Sequence, residues 1–333
     1  MYIKEESLDD LLHKVISKLL KCRNRIRASR GDATELTGVL LQLTDPRARL
    51  SRTEKKGHVF SCLGELLWYL AGSNALDFIS YYVPRYDEES DDGQTIHGGY
   101  GPRLFKMAGQ HDQIHNVLDL LKRKRSSRRA VIQIFDAEDI AQHHTDIPCT
   151  CTLQFMVRNR RLHMITYMRS NDAFIGLPHD IFAFTMLQEI MARSIGVEIG
   201  AYKHVAGSLH LYDSDITNAQ QYIGEAFQTR IPMPPMPTGD PWRSISAVID
   251  AEVQVRNGNV VDVDALSIGP YWQDIIRLLQ IFRFFKNGDT HQITKLNKKM
   301  DSDVFAPYIE QKRRTARKQE VTPQKGQLSL LLQ

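Results

Sequence analysis

The sequence is poor in cysteine and has no long apolar run. Its cysteines form neither a CxxC pair nor a zinc-ligand pattern; they are Cys22, Cys62, Cys149 and Cys151. No segment reaches the roughly 18 consecutive apolar residues of a membrane helix. The charged N-terminal stretch MYIKEESLDDLLHKV lacks the apolar core of a signal peptide. These absences argue against a disulfide-stapled fold and a zinc site, and they predict no membrane partner and a cytoplasmic location.

Charge of one sign is also scarce, since the net charge is only +4 over 333 residues. This charge suits an enzyme with anionic substrates, but alone it does not argue for nucleic-acid binding. The composition is 42% hydrophobic, which is ample for a large core. Helical and strand patterns interleave along the chain. Together these features predict a mixed α/β or α+β protein.

Apolar spacing predicts the main helices and strands. Helical patterns cover residues 6–22, 59–71, 112–125, 181–196 and 272–286. Strand patterns cover residues 130–135, 151–158, 162–168 and 201–207, with a hairpin candidate at 158–161. Turn-rich or loop-like segments cover residues 23–34, 83–103 and 231–241.

We predict one catalytic domain over residues 1–310, followed by a tail over residues 311–333. The tail sequence QKRRTARKQEVTPQKGQLSLLLQ is basic and then apolar. A solvated helix end with a frayed terminus is the ordinary interpretation of such a tail. A segment that binds nucleic acid or another partner is the alternative.

Four short clusters combine residue types that carry chemistry. They are Asp146–Thr150 (DIPCT), Arg169–Asp172 (RSND), Gly176–Asp180 (GLPHD) and Gly207–Tyr212 (GSLHLY). Each has an ordinary structural explanation when taken alone. A cysteine on a strand is usually a small core residue, and a histidine in an apolar strand is usually a hydrogen-bonded core group. The pair Arg128-Arg129 is equally compatible with solvated charges.

Taken in order, these clusters resemble the thymidylate synthase family. Five segments carry the resemblance between about residue 25 and residue 225: GELLWYLAG, SSRRAVIQIF, IPCTCTLQFMV, RSNDAFIGLPHDI and GSLHLY. Five matches in the correct order are far more specific than any single motif. The resemblance implies an α+β fold with one large mixed sheet, helices packed on one face of it, and a homodimer formed sheet to sheet.

The resemblance also implies a chemistry. Cys149 would add to carbon 6 of a pyrimidine, which makes carbon 5 nucleophilic and divides one difficult step into two easier ones. The one-carbon donor would be 5,10-methylenetetrahydrofolate, and no metal is expected. A thiolate needs cationic neighbours, and Arg169 with Arg128 and Arg129 are the candidates to lower the cysteine pKa.

By the same resemblance, arginines would hold the phosphate of a pyrimidine nucleoside monophosphate. Arg128 and Arg129 match the pair that the partner subunit contributes in the family. Arg169 and Ser170 would be local, and Arg30 is the candidate for the fourth arginine. Guanidinium forks suit a phosphate dianion. The implied assembly is a homodimer with shared active sites.

Five further residues receive roles from the resemblance. Glu65 matches a glutamate that organises water and proton transfers, and Tyr100 matches a tyrosine that assists proton removal at carbon 5. Asp172 matches the aspartate that hydrogen-bonds the pterin ring of folate. His210 and Tyr212 match the pair that contacts the sugar hydroxyl.

The most informative departure from the family pattern is Asp180, where thymidylate synthases have asparagine. An asparagine amide accepts from the N–H of uracil and donates to its 4-oxo group. Cytosine presents the reverse order, which a protonated aspartate can match. Aspartate here resembles the dCMP and CMP hydroxymethylases of the superfamily. The alternative interpretation is that Asp180 caps the following helix.

Three smaller departures point the same way. Thr150 follows the cysteine where histidine is usual, Met168 replaces a glutamine, and residues 83–97 lack tryptophans that shelter the folate. A wetter site favours water addition over hydride transfer. The sequence therefore predicts Cys149-dependent 5-hydroxymethylation of (d)CMP. Thymidylate synthase activity on dUMP is the alternative within the class. The rival of another class is an inactive nucleotide sensor or nucleic-acid-binding scaffold.

Overall fold

The computed structural model describes residues 1–28, 30–53, 57–225 and 228–321. Contacts divide the chain into two compact units, Met1–Trp242 and the residues from Arg243 onward. The single catalytic domain over residues 1–310 stays a prediction. The predicted tail begins within a helix that ends at Val321, and its last twelve residues lie outside the described part of the chain.

The first unit is built on one mixed sheet of seven strands. These are β1 (Tyr2–Glu5), β2 (Arg25–Ala28), β3 (Gly31–Leu43), β4 (Val131–Gln133), β5 (Thr150–Arg158), β6 (Arg161–Asp172) and β7 (Glu198–Tyr212). Their order is β1-β3-β7-β6-β5-β4, and β2 pairs with β3 outside this path. The large mixed sheet of the predicted α+β fold is thereby confirmed.

Two hairpins and one crossover set the direction of the central strands. β5 and β6 are antiparallel and are joined at Asn159 and Arg160, whose positive φ angles of 50° and 58° suit a two-residue hairpin turn. β2 and β3 form the second hairpin. β6 and β7 run parallel, so the chain between them needs a long crossover, which a helix supplies.

Among the residues that the structure describes, seven helices belong to the first unit. They are α1 (Leu8–Leu20), α2 (Val59–Leu70), α3 (Leu76–Tyr82), α4 (Tyr100–Phe105), α5 (Gln113–Arg123), α6 (Gly176–Ser194) and α7 (Ile216–Gly224). The Ser7 side chain caps α1 by accepting from the Asp10 backbone N–H. α1 and α6 pack on the sheet and also contact each other, so they cover the same face.

The two faces of the sheet differ in burial, as one row of side chains from each face demonstrates. The row covered by helices is buried throughout: Ile132, Leu153, Thr166, His204, Leu41 and Ile3. The next row points to the other face and is nowhere buried: Val131, Gln154, Ile165, Lys203, Gln42 and Lys4. Alternate side chains of a strand point to opposite faces, which explains the contrast.

The second unit continues with helices. They are α8 (Trp242–Arg256), α9 (Pro270–Lys286), α10 (Thr290–Asn297) and α11 (Ala306–Val321), of which α8 begins at the last residue of the first unit. Short 3₁₀ helices occur in both units: Pro84–Glu88, Ala137–Ile140, Asp213–Asp215, Val263–Ala265 and Asp303–Phe305. Over the described ranges, no helix is long and apolar enough to cross a membrane.

The predicted helices and most strands are present, but three expectations need correction. Residues 23–34 are not mainly turn, because they contain β2 and the start of β3. Residues 83–103 are not only loop, since they hold a 3₁₀ helix and the first part of α4. β7 extends through Tyr212 instead of ending at residue 207, because its polar end pairs with both β3 and β6.

Candidate active site

The arginine at the end of β6 holds the segment that carries Cys149. The Arg169 backbone N–H donates to the Cys149 carbonyl at 2.9 Å. Its guanidinium donates from Nε to the Pro148 carbonyl and from Nη2 to the Ile147 carbonyl, both at 2.9 Å. Three hydrogen bonds from one residue therefore fix the backbone that presents the thiol.

The Cys149 thiol is closely surrounded by protein yet keeps some accessible surface, as expected for a group in a cleft. Burial raises its pKa to about 11. The charge of Arg169 lowers this pKa, whereas the carboxyl groups of Asp180 and Asp146 raise it further. Arg169 therefore acts in the predicted direction, but burial outweighs it. In the chain as described, Cys149 is a neutral thiol at neutral pH.

A second acid, Asp146, lies close to the cysteine and was not predicted as a site residue. Burial raises its pKa to about 6, Glu89 raises it further, and Arg30 and Arg169 oppose the change. Gly98 permits this close packing, because a Cβ there would stand 2.2 Å from Asp146 Oδ2. The cluster DIPCT contained the signal, since it has a carboxyl three residues before the cysteine.

Tyr100, the first residue of α4, contacts the start of β5. Its hydroxyl accepts a hydrogen bond from the Thr150 N–H at 3.3 Å, and its ring stacks on Tyr69 with centroids 4.9 Å apart. Burial, with the nearby charges of Asp180 and Cys149, raises the pKa of Tyr100 well above its usual value. The neutral form of the phenol is therefore favoured.

Glu65 lies in the middle of α2 and is only 8% exposed. Its Oε1 accepts hydrogen bonds from the hydroxyls of Tyr69 and Tyr86, each at 2.9 Å. Two phenol donors to one oxygen hold the carboxylate in place. The same Tyr69 stacks on Tyr100, so the structure connects Glu65 with Tyr100 through one ring.

Asp180 lies inside α6, which begins at Gly176. The interpretation of Asp180 as a helix cap is therefore wrong, because the residue follows the first helical position by four. Its Oδ2 instead accepts a hydrogen bond from Asn171 Nδ2 at 2.7 Å. Burial, and then the charge of Glu65, raises the pKa of Asp180 well above its usual value. The hydrogen bond from Asn171 lowers this pKa, but burial outweighs it, so the neutral form of the carboxyl is favoured.

The two arginines at the entry to β4 lie apart from this group. Arg128 and Arg129 are exposed, and their described contacts involve only the backbone: the Arg128 carbonyl accepts from Gln154, and the Arg129 N–H donates to Ser127. Neither is among the charges that shift the pKa of Cys149, whereas Arg30 is. Arg30 is exposed as well and forms an ion pair with Glu89.

The remaining predicted residues line up at one end of the central strands. Ser170 of β6 stands opposite Ser208 of β7, and Asp172 opposite His210. His210 and Tyr212 have nearly perpendicular rings with centroids 4.9 Å apart. His210 is buried, and its Nδ1 has no hydrogen-bond partner within the described ranges. A buried nitrogen without a partner is costly unless a ligand satisfies it.

Asp172 also has a local structural task. Its Oδ1 accepts from the backbone N–H groups of Phe174 and Ile175, at 2.8 and 3.1 Å. These bonds order the turn that leads into α6, and they leave Oδ2 available. As far as the structure describes the chain, no group of three or more His, Cys, Asp or Glu side chains is placed to hold a metal ion.

Comparison with known proteins places this geometry in context. A family model described as thymidylate synthase matches residues 10–255. The deoxyuridylate hydroxymethyltransferase of Delftia phage PhiW-14 is 31% identical over 213 residues, which are 60% of this chain and 57% of that protein. The deoxyuridylate hydroxymethyltransferase of Pseudomonas phage M6 is 33% identical over 192 residues, 57% of this chain and 54% of that protein. The chain thus spans little more than half the length of these two relatives.

Proposed function

Because this chain belongs to the thymidylate synthase family, we propose that it transfers a one-carbon unit to carbon 5 of a pyrimidine nucleoside monophosphate and releases the 5-hydroxymethyl product. The observation that carries the proposal is the site itself. One nucleophile, Cys149, stands close to two neutral groups, Asp180 and Tyr100, and Arg169 holds its backbone. An addition and elimination at a pyrimidine ring needs these elements.

In the proposed reaction, the Cys149 thiol adds to the base: the sulfur bonds to carbon 6, the thiol proton passes to the conjugated side of the ring (ring nitrogen 3 of cytosine), and carbon 5 becomes nucleophilic. Carbon 5 then bonds to the CH₂ group of the one-carbon donor. Loss of the carbon 5 proton and cleavage of the bond between CH₂ and the folate nitrogen, which takes up a proton, release tetrahydrofolate and leave an exocyclic methylene. Water adds to this methylene, the electron pair expels the sulfur from carbon 6, and the sulfur regains its proton, which gives the 5-hydroxymethyl product and the free thiol. Because Tyr100 is neutral, its hydroxyl is the candidate to relay the carbon 5 proton. The Glu65 carboxyl holds the Tyr69 hydroxyl, and the Tyr69 ring in turn stacks on Tyr100 and positions it.

The co-substrate of the proposed reaction is 5,10-methylenetetrahydrofolate, which supplies the one-carbon unit at the oxidation level of formaldehyde. Within the described residues the hydrogen bonds of Asp172 use Oδ1, so Oδ2 suits a hydrogen bond to the pterin. Residues 83–97 contain no tryptophan to exclude water. A site that does not exclude water favours a hydroxymethyl product over a methyl product, and the missing tryptophans support this outcome. The names of both phage relatives agree with this choice.

For the base, we propose cytosine, so that the substrate is dCMP or CMP. The support is Asp180, a neutral carboxyl at the position where uracil-specific members of the family have an amide. When its protonated oxygen faces ring nitrogen 3, a neutral carboxyl donates to that nitrogen of cytosine and accepts from the amino group. Uracil is the second candidate, because both phage relatives are named for deoxyuridylate.

The phosphate site of this proposal is completed by a second copy of the chain. Arg169 and Ser170 are local to Cys149, and His210 has a buried nitrogen free for the sugar hydroxyl. Arg128 and Arg129 are exposed at the sheet margin, where a partner chain can use them. The sheet face that helices leave accessible is the surface that we assign to this homodimer.

One experiment tests the activity directly. Purified protein is incubated with methylenetetrahydrofolate and, separately, with dCMP, CMP and dUMP, and the products are weighed by mass spectrometry. A gain of CH₂O on a cytidine nucleotide is expected. Hydroxymethylation of dUMP alone would select the second candidate. Conversion of dUMP to dTMP, with dihydrofolate release, would identify a thymidylate synthase instead.

The rival proposal of an inactive nucleotide sensor needs a separate test. A 5-fluoropyrimidine nucleotide has no proton to lose at carbon 5, so an active enzyme should form a covalent adduct with it and the folate. We expect this adduct on Cys149 in the wild-type protein and no adduct in Cys149→Ala. A wild-type protein that binds the nucleotide without forming the adduct would favour the sensor.

A further inference from the structure

Behind Asp180 lies a chain of buried polar side chains that crosses the two central strands. The Tyr202 hydroxyl is 2.9 Å from His204 Nδ1, and His204 Nε2 is 3.1 Å from Asn171 Oδ1. Asn171 Nδ2 then donates to Asp180 Oδ2 at 2.7 Å. Tyr202 and His204 are fully buried, and Asn171 is 4% exposed. We call these three residues the Tyr202–Asn171 relay.

The direction of hydrogen bonding along the relay follows from its chemistry. Asn171 Oδ1 can only accept, so His204 Nε2 must carry the proton. Burial lowers the pKa of His204 to about 3, and the ring is therefore neutral with a single N–H. His204 Nδ1 must then accept from the Tyr202 hydroxyl. Every donor points toward Asp180, whose Oδ2 ends the chain as an acceptor.

This direction matters because a neutral carboxyl has no preference of its own between the two pyrimidines. It offers one donor and one acceptor, and they exchange places when the proton moves from one oxygen to the other. With the proton on Oδ1, cytosine fits if Oδ1 faces ring nitrogen 3, and uracil fits if Oδ2 faces it. A mobile proton would let the site accept both bases.

We propose that Asn171, held by His204 and Tyr202, is a positioning residue that keeps the acid proton of Asp180 on Oδ1 and thereby makes the site select one pyrimidine base. The proposal rests on the proposed function, since it assumes that Asp180 reads the base. The new element is Asn171, the residue that sets which oxygen of Asp180 donates to the base and which accepts. An oxygen that already accepts a strong N–H bond is the less favourable place for the proton.

The decisive measurement is the ratio of two affinities. The dissociation constants of dCMP and dUMP are measured by calorimetry for the wild type and for Asn171→Ala, and kcat/KM is measured alongside. We expect the wild type to prefer one base by roughly a hundredfold. In Asn171→Ala we expect that preference to fall at least about tenfold, equivalent to about 1.4 kcal/mol. The disfavoured base should gain while the favoured one loses.

A matched control comes from the same helix as Asp180. Thr185 is fully buried in α6, and its hydroxyl donates to the Ile181 carbonyl at 2.6 Å without touching the relay. Thr185→Val removes a buried hydrogen bond of α6 and should leave the base preference unchanged.

His204→Phe keeps a ring but removes the donor, so it should act like Asn171→Ala. The double variant should lose little more, because both changes break one chain.

A spectroscopic test does not depend on binding. In protein labelled with ¹⁵N-histidine, the ring resonances of His204, assigned by their loss in His204→Phe, report which nitrogen carries the proton. A proton on Nε2 is expected, and a proton on Nδ1 would overturn the proposed direction.

Equal losses of affinity for both bases in Asn171→Ala would also overturn the proposal. A wild type that prefers one base yet turns over neither would instead refute the proposed function alone.

Discussion

The two ends of the candidate site are built in different ways. At the base end, formed by Asp180, Asn171, Glu65 and Tyr100, the polar groups are hydrogen-bonded within one chain. At the end that we assign to phosphate, the side chains of Arg30, and of Arg128 and Arg129 from the proposed partner copy, are exposed. Arg30 is paired with Glu89, and within the described residues the hydrogen bonds of Arg128 and Arg129 involve their backbone.

The contrast between buried and exposed polar groups shows which interactions a single chain can form by itself. Buried hydrogen bonds fix the base end in advance, so no reorganisation is needed when a pyrimidine arrives. Exposed guanidinium groups retain side-chain freedom and must lose it when they bind phosphate. We infer that base recognition is a property of the protomer, whereas phosphate recognition depends on assembly.

The largest effect should come from the nucleophile, on which both ends depend. Cys149→Ala should abolish product formation and the release of tritium from carbon 5. Cys151→Ala should keep most activity, because this thiol is two residues further along and contributes nothing to the bond with carbon 6. Both are measured by a tritium-release assay. Turnover by Cys149→Ala would refute the assignment of the nucleophile.

The next effect tests the base end. Asp180→Asn should move the preference from cytosine toward uracil by roughly a hundredfold, since two hydrogen-bonding positions are reversed at about 1–3 kcal/mol each. Phosphate affinity should change little, because the arginines are untouched. Competition between dCMP and dUMP measures the change. An unaltered preference would mean that Asp180 does not read the base.

The same substitution should remove a pH dependence. The pKa of Asp180 is raised in the folded protein, so its contribution to the free energy of unfolding is complete below the unfolded value near pH 4. The contribution is lost as pH rises toward the folded pKa, at no more than about 1.4 kcal/mol per pH unit. Urea unfolding at several pH values should show a smaller loss in Asp180→Asn than in the wild type, and the remaining loss should come from other buried carboxyls such as Asp146.

The phosphate end should respond to a mixing experiment. Arg129→Ala should lower kcat/KM about 10- to 100-fold, because charge-assisted hydrogen bonds contribute about 1.5–3 kcal/mol. Mixing these subunits with Cys149→Ala subunits should restore up to about a quarter of wild-type activity, since half of the dimers would be mixed and each would hold one intact site. Proven subunit exchange without recovery would contradict a shared site.

The smallest effect should come from Glu89, which forms an ion pair with Arg30 and would compete with phosphate at the site that we propose. Glu89→Gln should lower the KM of the nucleotide about two- to fivefold, as expected for a partly exposed ion pair. The maximal rate should hardly change. Steady-state kinetics at low and high salt provide the measurement, and the difference should shrink as salt rises. A higher KM in the variant would show that Glu89 supports Arg30 instead.

The sequence was sufficient to predict the elements that have a regular apolar period. α2 with Glu65, and the hairpin at Asn159, are where periodicity and turn chemistry predicted them. β3 was missed because GDATELTGVLLQL has no clean alternation, and the strand is stabilised by partners on both edges. Such pairing is tertiary, so no local pattern reports it.

The site was less predictable than the fold in one respect. Cys149 and Asp180 carry motif signals, but the links between Asn171, His204 and Tyr202 join residues up to 33 positions apart. A histidine on an apolar strand gives no sign of which nitrogen is protonated or of its partner. The sequence pointed to arginines that would lower the pKa of Cys149, but in the structure burial raises it more than Arg169 lowers it. Burial depends on how the chain packs, which the charge pattern of the sequence does not report.

The order of the strands has a consequence for how the chain reaches this structure. β7 is the last strand to be synthesised, yet it lies in the middle of the sheet between β3 and β6. Until residue 212 has emerged from the ribosome, β3 and β6 both have unpaired edges, which favour aggregation. The sheet therefore closes late, around pairings that span more than 150 residues, and such long-range closure is slow. A chaperone that shields these edges should raise the yield of active protein more than it alters its final stability.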